Sequence, residues 1–338
     1  MKRGFTLAAS VRARGAALLT AMLTVALVAT FAAAALWQQW RTVEIEAAER
    51  ARIQAAWLLV GGLDWARLLL REDGRSGAGG ADHLGEPWAV PLEEARLSDF
   101  LAAERNVSTD IGPEVMEAFL SGQIVDQQSL MNVTNLVKDG QVSVKDMQAF
   151  GRLFALLELP QAQLDTLAEN LRFALDTSPA NRSSPLAPLA PQRVEQLTWL
   201  GLPESTVAVL QPHVTVLPNR TPVNLNTASA EVMHAAAPGL SMADAQRLVA
   251  ARERSPFRDV AEARLAIGAD PAMFAAEQAF VSIDTSYFEV RSRLRLDQLS
   301  IEERALVQRE GGRDGGAVRV LQRWRIAVPI PAATGVRR

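Results

Sequence analysis

Oxygen-bearing side chains that could bind a metal ion gather in one short stretch of the chain. Asp126 and Asn132 have Gln127, Gln128 and Asn135 beside them, and a calcium ion takes about six to eight such oxygen ligands in irregular loops. Aspartate and asparagine also cap ordinary turns, and the stretch lacks the regular acidic spacing of a calcium-binding loop. We therefore predict that no cofactor is required, with Asp126 and Asn132 as candidate calcium ligands and turn capping as the favoured alternative.

Catalytic chemistry has little support in the sequence. The chain has no cysteine, which excludes thiolate nucleophiles, thiolate metal ligands and disulfides. Its histidines, His83, His213 and His234, are far apart and lack the spacing of a helical metal pair. A nucleophile elbow, a phosphate-binding loop and a dinucleotide fingerprint are all missing from the sequence. We predict that the protein is not an enzyme.

A membrane anchor near the amino terminus is the strongest signal in the sequence. Residues 16–36 have threonine as their only polar residue type, and a helix of that length spans roughly the 30 Å hydrocarbon core. This run is followed by Trp37, Trp40 and Arg41. Such aromatic and basic residues are typical of the membrane–water interface. The basic residues that precede the run are Lys2, Arg3, Arg12 and Arg14. Because basic ends stay in the cytoplasm, we predict a single-pass protein whose bulk lies outside.

A cleaved secretory signal peptide is the alternative explanation of the apolar run. Such a peptide has a shorter apolar core of about 7–15 residues, whereas this helical pattern continues past the membrane. Residues 41–71 contain no proline and are rich in Ala, Leu, Glu and Arg, so we expect the helix to extend into the next compartment. It should end in the glycine- and proline-rich segment 72–91, where Trp88 is the predicted anchor on a core.

Strand-like patterns flank a long helical block in the rest of the chain. Residues 117–136 resemble a β-hairpin, and residues 287–326 resemble strands separated by a turn at GGRDGG. Between them, Ser143 and Ser241 are predicted helix caps, and residues 178–191 form a proline- and serine-rich connection. The predicted helices cover residues 143–159, 160–177, 192–200, 204–211, 227–236, 241–254 and 271–279.

An α+β fold is the simplest arrangement of these elements. In it, an all-helical domain is inserted into an antiparallel sheet that packs against the soluble half of the long amino-terminal helix. Two consecutive domains are the alternative, but that order would leave the early hairpin short of partner strands.

Residues 223–257 resemble the helix-hairpin-helix modules of competence DNA receptors. Those modules bring backbone N–H groups of a Gly-x-Gly hairpin against a DNA phosphate, but here residues 238–241 read PGLS and the second glycine is lost. Acidic neighbours offset Arg247 and Arg252, and the full chain has a net charge of -3. We favour a structural hairpin and expect no nucleic acid, and a membrane-anchored DNA-binding or uptake protein remains the alternative function.

The junction at Gly15 resembles the processing site of type IV prepilins and of type II secretion pseudopilins. In those families a prepilin peptidase cuts after a glycine and methylates the new amino terminus, so the resemblance implies cleavage between Gly15 and Ala16. A cut after Gly4 would instead leave Arg12 and Arg14 in the apolar helix, at a cost of several kcal/mol each.

Position five of the mature chain would be Thr20, where most pilin-like subunits keep a glutamate. That glutamate is thought to neutralise the amine of the neighbour already in the fibre. At the tip of a fibre, where there is no such neighbour, an unpaired carboxylate in lipid would be unfavourable. The loss of the glutamate is therefore expected in a tip subunit.

Four further motifs extend the resemblance over almost the whole chain. They are LGEPWAVPL at 84–92, GQIVDQQSLMNVTNL at 122–136, VNLNTA at 223–228 and YFEVRSRLRL at 287–296. Together with the large helical insertion they identify the chain as a member of the K class of minor pseudopilins, the GspK family. Relatives usually have a glycine and an aromatic residue where this chain has Ser129 and Met131.

The resemblance implies a subunit of the type II secretion pseudopilus that initiates and caps the fibre, for export of folded proteins from the periplasm across the outer membrane. Its implied partners are minor pseudopilins of the I, J and H classes, the major pseudopilin, the prepilin peptidase and the bacterial inner membrane, and its bulk is expected in the periplasm.

The predicted segments are the leader (1–15), the transmembrane helix (16–40), its soluble extension (41–75), the first part of the pseudopilin domain (76–136), an inserted α-helical domain with a helix-hairpin-helix-like or SAM-like segment (137–278) and the C-terminal strands (279–330).

Overall fold

The protein is described here by a computed structural model. It covers residues 11–76, 80–98, 118–182, 184–270, 274, 280–296, 299–310 and 316–327. Residues 1–10 of the predicted leader and most of the predicted helix 271–279 lie outside these ranges. The chain divides into two compact units at the boundary between Trp57 and Leu58.

A single long helix, α1, covers Val11–Ser76. Its first part belongs to the first unit, and its last part, from Leu58, belongs to the second. The prediction of a helix that continues beyond the apolar run is confirmed. Unbroken Ala, Leu, Glu and Arg residues favour this conformation, because straight-chain residues and alanine lose little side-chain entropy in a helix.

The second unit contains a five-stranded antiparallel sheet. Its strands, in spatial order, are β1 (Leu92–Arg96), β2 (Phe119–Asp126), β9 (Tyr287–Leu296), β10 (Leu299–Arg309) and β11 (Val318–Ala327). Strands β2 and β9 are direct neighbours, with Phe119 opposite Arg295 and Asp126 opposite Phe288. The segment between them therefore leaves the sheet and returns to it at adjacent strands, which confirms the α+β fold.

One face of the sheet packs against the last part of α1. Leu59, Leu63, Ala66 and Leu70 recur at helical spacing and are buried. The last three share a core with Phe288, Val290, Ala305 and Val307 of the sheet. Trp88 lies in the same core, with its ring 5.1 Å from that of Phe288 in an edge-to-face arrangement. The prediction of Trp88 as an anchor is confirmed.

Helices dominate the segment between β2 and β9. They are α2 (Val144–Leu156), α3 (Gln161–Leu175), α4 (Pro179–Arg182), α5 (Glu204–Leu210), α6 (Ala230–Ala236), α7 (Met242–Arg254) and α8 (Val260–Ala266), with 3-10 helices at Gln127–Ser129, Val133–Leu136 and Val194–Leu200. A further 3-10 helix, Pro87–Ala89, precedes β1. Short strand pairs join Met131–Asn132 (β3) to Val214–Thr215 (β6), Val137–Lys138 (β4) to Gln141–Val142 (β5) and Val223–Asn224 (β7) to Val281–Ser282 (β8).

Local capping signals located two of these helices, α2 and α7. The hydroxyl groups of Ser143 and Ser241 accept hydrogen bonds from the backbone N–H groups of Asp146 and Asp244, as predicted. Helix α8 was not predicted from the sequence, although Asp259 caps it in the same way. Residues 194–200 form a 3-10 helix rather than an α-helix.

The predicted hairpin over residues 117–136 is wrong. Strand β2 pairs with β1 and β9, and β3 pairs in parallel with β6, 83 residues further along the chain. The polar DQQS centre forms the 3-10 helix Gln127–Ser129, capped by the Asp126 carboxylate. This tight turn redirects the chain from the sheet into the helical segment.

Candidate functional site

The apolar part of α1 has its polar side chains bonded within the helix. The Thr20 hydroxyl donates to the backbone oxygens of Ala16 and Ala17, at 3.1 and 2.9 Å. Thr24 and Thr30 donate to carbonyl oxygens one turn back, at 2.9 and 2.8 Å. A hydroxyl bonded in this way exposes little unsatisfied polarity to lipid. Thr20 is thus compatible with a hydrocarbon environment without a partner.

The ends of this apolar stretch match those of a membrane span. Among the described residues, one helix is long and apolar enough to cross a membrane. At its far end the Arg41 guanidinium lies 5.1 Å from the ring centre of Trp37, as in an interfacial belt. Gly15 and Ala16, the predicted processing residues, lie within α1, which begins at Val11.

In the second unit, α1 carries an exposed apolar stripe on the side away from the sheet. We call Gly61, Trp65 and Leu68 the helix stripe. Trp65 and Leu68 are 43% and 60% exposed, and no described atom lies within 4 Å of the position that a Cβ would take at Gly61. A small residue beside large apolar side chains lets a second helix approach closely. The helix stripe is therefore shaped for helix packing.

A buried carboxylate, Asp126, joins the sheet to the helical segment. One of its oxygens accepts from the Gln128 backbone N–H and the Thr285 hydroxyl, both at 2.7 Å. The other accepts from the Thr227 hydroxyl at 2.5 Å and the Asn224 amide at 3.1 Å. These donors come from the 3-10 helix that follows β2, from the segment just before β9 and from the VNLNTA motif. Asp126 thus fixes the point where the inserted helices meet the sheet.

Asn132 has an equally complete set of partners. Its side-chain oxygen accepts from the backbone N–H groups of Thr134 and Leu217, both at 3.1 Å, and its amide donates to Asn219 and Thr221. A cation at Asp126 and Asn132 would have to displace these bonds. The donor set therefore does not fit a metal site, and the bonds observed are those of the turn-capping alternative.

A buried ionic cluster that was not predicted from the sequence lies at the end of α1. Arg309, at the end of β10, donates to Asp73 at 2.7 Å, to Asp82, and to the Thr285 backbone oxygen at 3.0 Å. The guanidinium also lies 5.1 Å from the ring centre of Phe288. Asp82 in turn accepts from the Thr285 backbone N–H at 2.7 Å. This cluster connects the last turn of α1 to the same segment that contacts Asp126.

Three carboxyl groups of the described residues lie close together in this cluster. The carboxylate oxygens of Asp73, Asp82 and Glu86 lie within 4.8 Å of one another. Burial raises the pKa of all three carboxyl groups above the ordinary range, and Arg309 opposes that effect at Asp73 and Asp82. Burial raises the pKa of Asp126 to about 6. The polar connection from α1 to the inserted helices is therefore sensitive to protonation.

The helical hairpin at residues 230–254 does not present a phosphate-binding face. Gly239 adopts φ +79° in the turn, and His234 contacts the Leu240 backbone oxygen across the hairpin at 2.6 Å. Arg252 is turned inward and donates to the Leu225 backbone oxygen at 2.7 Å, and Arg247 pairs with Asp244. Both arginines on which a DNA contact would depend are occupied within the protein, so the DNA-binding alternative is not favoured.

Known proteins resemble the chain along nearly its whole length. Two family models match the chain, one over residues 129–219 and the other over residues 223–284, and both are described as "Type II secretion system (T2SS), protein K". The type II secretion system protein K of Pseudomonas aeruginosa is 28% identical over 349 aligned residues, which cover 95% of this chain and 96% of that protein.

A solved structure supports the same fold. It is the crystal structure of the GspK-GspI-GspJ complex from enterotoxigenic Escherichia coli, one chain of which matches with a TM-score of 0.61 and 18% identity. The match covers 83% of this chain and 99% of that chain. At this identity the comparison supports the architecture of sheet, long helix and inserted helices.

Proposed function

The chain belongs to the protein K family of the type II secretion system and is a membrane-anchored minor pseudopilin, and on that premise we propose that it forms the tip of the pseudopilus. In this position it initiates the fibre and caps it, and the fibre drives export of folded proteins from the periplasm across the outer membrane. The role is structural, and we propose that it involves neither catalysis nor a cofactor.

Thr20 is the observation that carries the tip position. Its hydroxyl is satisfied by Ala16 and Ala17 of its own helix, so it carries no charge that requires a neighbour. The first subunit of a fibre has no preceding neighbour whose amine a carboxylate could neutralise, and an unpaired carboxylate in lipid is costly. A neutral, self-bonded residue at this position suits the first subunit better than a glutamate.

The proposed partners follow from the helix stripe and from the relative of known structure. That relative was crystallised with GspI and GspJ, and we propose that minor pseudopilins of the I and J classes contact this chain. Gly61, Trp65 and Leu68 are the residues we assign to packing against a neighbouring helix. We propose that the H-class pseudopilin and the major pseudopilin join the fibre below this tip subunit. We assign the closing of the tip against further subunits to the helical insertion, residues 137–278.

The proposed topology follows from the charges around the anchor. The basic leader stays in the cytoplasm, α1 crosses the inner membrane, and the second unit lies in the periplasm. A prepilin peptidase then cuts between Gly15 and Ala16 and methylates Ala16. Processing removes the basic leader from the end of the apolar helix, so the helix can leave the bilayer and enter the fibre.

Substitution of Gly15 tests this proposal against a control within the same leader. We expect Gly15→Val to block processing and to abolish secretion, because the branched side chain fills the place of the glycine at the cut. Gly4→Val should be processed and should secrete normally. Normal processing and secretion by Gly15→Val, or a block caused by Gly4→Val, would contradict the proposal.

A further inference from the structure

The most exposed large apolar side chain of the described residues lies in the connection between α4 and the 3-10 helix Val194–Leu200. Leu186 is 82% exposed and Leu189 is 69% exposed. Leu186 is more exposed than any described large apolar side chain of the membrane-spanning stretch. We call residues 184–192 the leucine loop. It contains no charged residue, so its surface is unusually apolar for a loop in water.

Prolines recur at every third position of the leucine loop. Pro185 occupies the second position of a β-turn, in which the Ala187 backbone N–H donates to the Ser184 oxygen at 3.4 Å. Pro188 and Pro191 follow, and each restricts the residue before it to an extended conformation. A repeat of three residues is the period of the polyproline II helix. Residues 187–191 are therefore pre-ordered as an extended segment.

Both ends of the leucine loop are fixed to the helical segment. Before it, the Asn181 amide donates to the backbone oxygens of Phe173 and Asp176 at the end of α3, both at 2.8 Å. After it, Pro191 is buried, and the Gln196 side chain accepts from the backbone N–H groups of Gln192 and Arg193 at 2.7 and 3.2 Å. The exposure of the two leucines is thus a property of an anchored loop.

We propose that the leucine loop is a docking segment, which binds in an extended conformation to a groove lined by aromatic side chains on another protein of the secretion machinery. Proline-rich extended segments are recognised in this way, because aromatic rings pack on the prolines and pockets accept the side chains between them. The pre-ordered backbone lowers the entropy cost of binding. Recognition by Leu186 and Leu189 is apolar and should depend little on salt. The proposal rests on the proposed function.

The test uses the full chain in a strain that lacks it, with secreted protein as the readout. The double substitution Leu186→Asp with Leu189→Asp removes the apolar contact, and we expect docking to weaken about 100-fold and secretion to fall in step. Val144→Asp is the matched control, because Val144 is 73% exposed in the same helical segment. A second variant exchanges Leu189 and Ala190, which keeps the composition and moves the leucine to another face. Thermal unfolding midpoints within about 2 °C of the unsubstituted chain establish folding.

Loss of secretion in both loop variants, with a normal Val144→Asp control, would support the docking role. Normal secretion by either folded loop variant, or equal loss in the control, would overturn it. Failure of the unsubstituted chain to restore secretion would contradict the proposed function and this role together.

A photo-crosslinking side chain at position 189 identifies the contact. Crosslinks to a peptide with aromatic residues support the proposal, whereas crosslinks to lipid or to another copy of this chain contradict it.

Discussion

Replacement of Asp126 by asparagine should remove a pH dependence from the stability of the second unit. The carboxyl group has an ordinary pKa of 3.8, and burial raises its pKa to about 6 in the folded protein. A raised carboxyl pKa means that folding favours the protonated form. Its stabilising contribution is therefore complete below pH 3.8 and is lost as the pH rises through about 6. The difference between the two pKa values corresponds to about 3 kcal/mol.

The assay is urea unfolding of the full chain in detergent, followed by tryptophan fluorescence between about pH 4 and pH 7. We expect the unfolding free energy of the unsubstituted chain to fall with rising pH relative to Asp126→Asn, by up to about 3 kcal/mol. The raised pKa values of Asp73, Asp82 and Glu86 act in the same direction, but those groups are present in both proteins and cancel in the difference.

Asp244→Asn is the control for this measurement. Its carboxyl group is only partly buried, and the hydrogen bond from Ser241 lowers its pKa, so its contribution is present above pH 3.8 and is lost only at lower pH. Over the measured range its difference from the unsubstituted chain should be flat. Parallel curves for the unsubstituted chain and Asp126→Asn would refute the assignment of a buried, proton-linked carboxylate at the junction.

Four further outcomes test the packing of α1, the ionic cluster, the helix stripe and the metal requirement. Leu70→Ala should lower the unfolding free energy by about 2–5 kcal/mol, because Leu70 is fully buried, whereas Leu68→Ala should change it by less than about 0.5 kcal/mol; equal effects would contradict the packing of α1. Arg309→Gln should cost about 3–5 kcal/mol in the same urea assay, because it leaves Asp73 and Asp82 buried without their cation, and a neutral result would contradict the cluster. Leu68→Asp should keep the thermal midpoint but reduce co-purification of an I-class pseudopilin, and unchanged co-purification would contradict the stripe. A chelator should leave the thermal midpoint of the unsubstituted chain unchanged, and a fall reversed by calcium would contradict a fold that needs no metal.

Local sequence patterns were sufficient to predict most helices and strands, but not to predict which distant strands pair with each other. The period and composition of α1 are properties of neighbouring residues, and β9 has the same bounds as the predicted strand, 287–296. The 117–136 hairpin failed because the partner of β3 lies at Val214–Thr215. Strand pairing depends on contacts between distant parts of the chain, which a short window of sequence does not contain.

For the candidate site, too, the sequence indicated single residues but not the distant partners that surround them. The sequence singled out Asp126, and the structure gives it four protein donors, from Gln128, Thr285, Thr227 and Asn224. Only the fold brings these donors together, so the sequence left calcium binding and turn capping as alternatives. The cluster around Arg309 had no sequence signal of its own, because its partner Asp73 lies 236 residues away.

The mass of the mature amino terminus tests the central claim most directly, since assembly requires that the apolar helix be released from its leader. We predict that the protein purified from its own membranes begins with N-methylated Ala16. An intact leader, or a chain that begins at Phe5 after cleavage behind Gly4, would contradict the account.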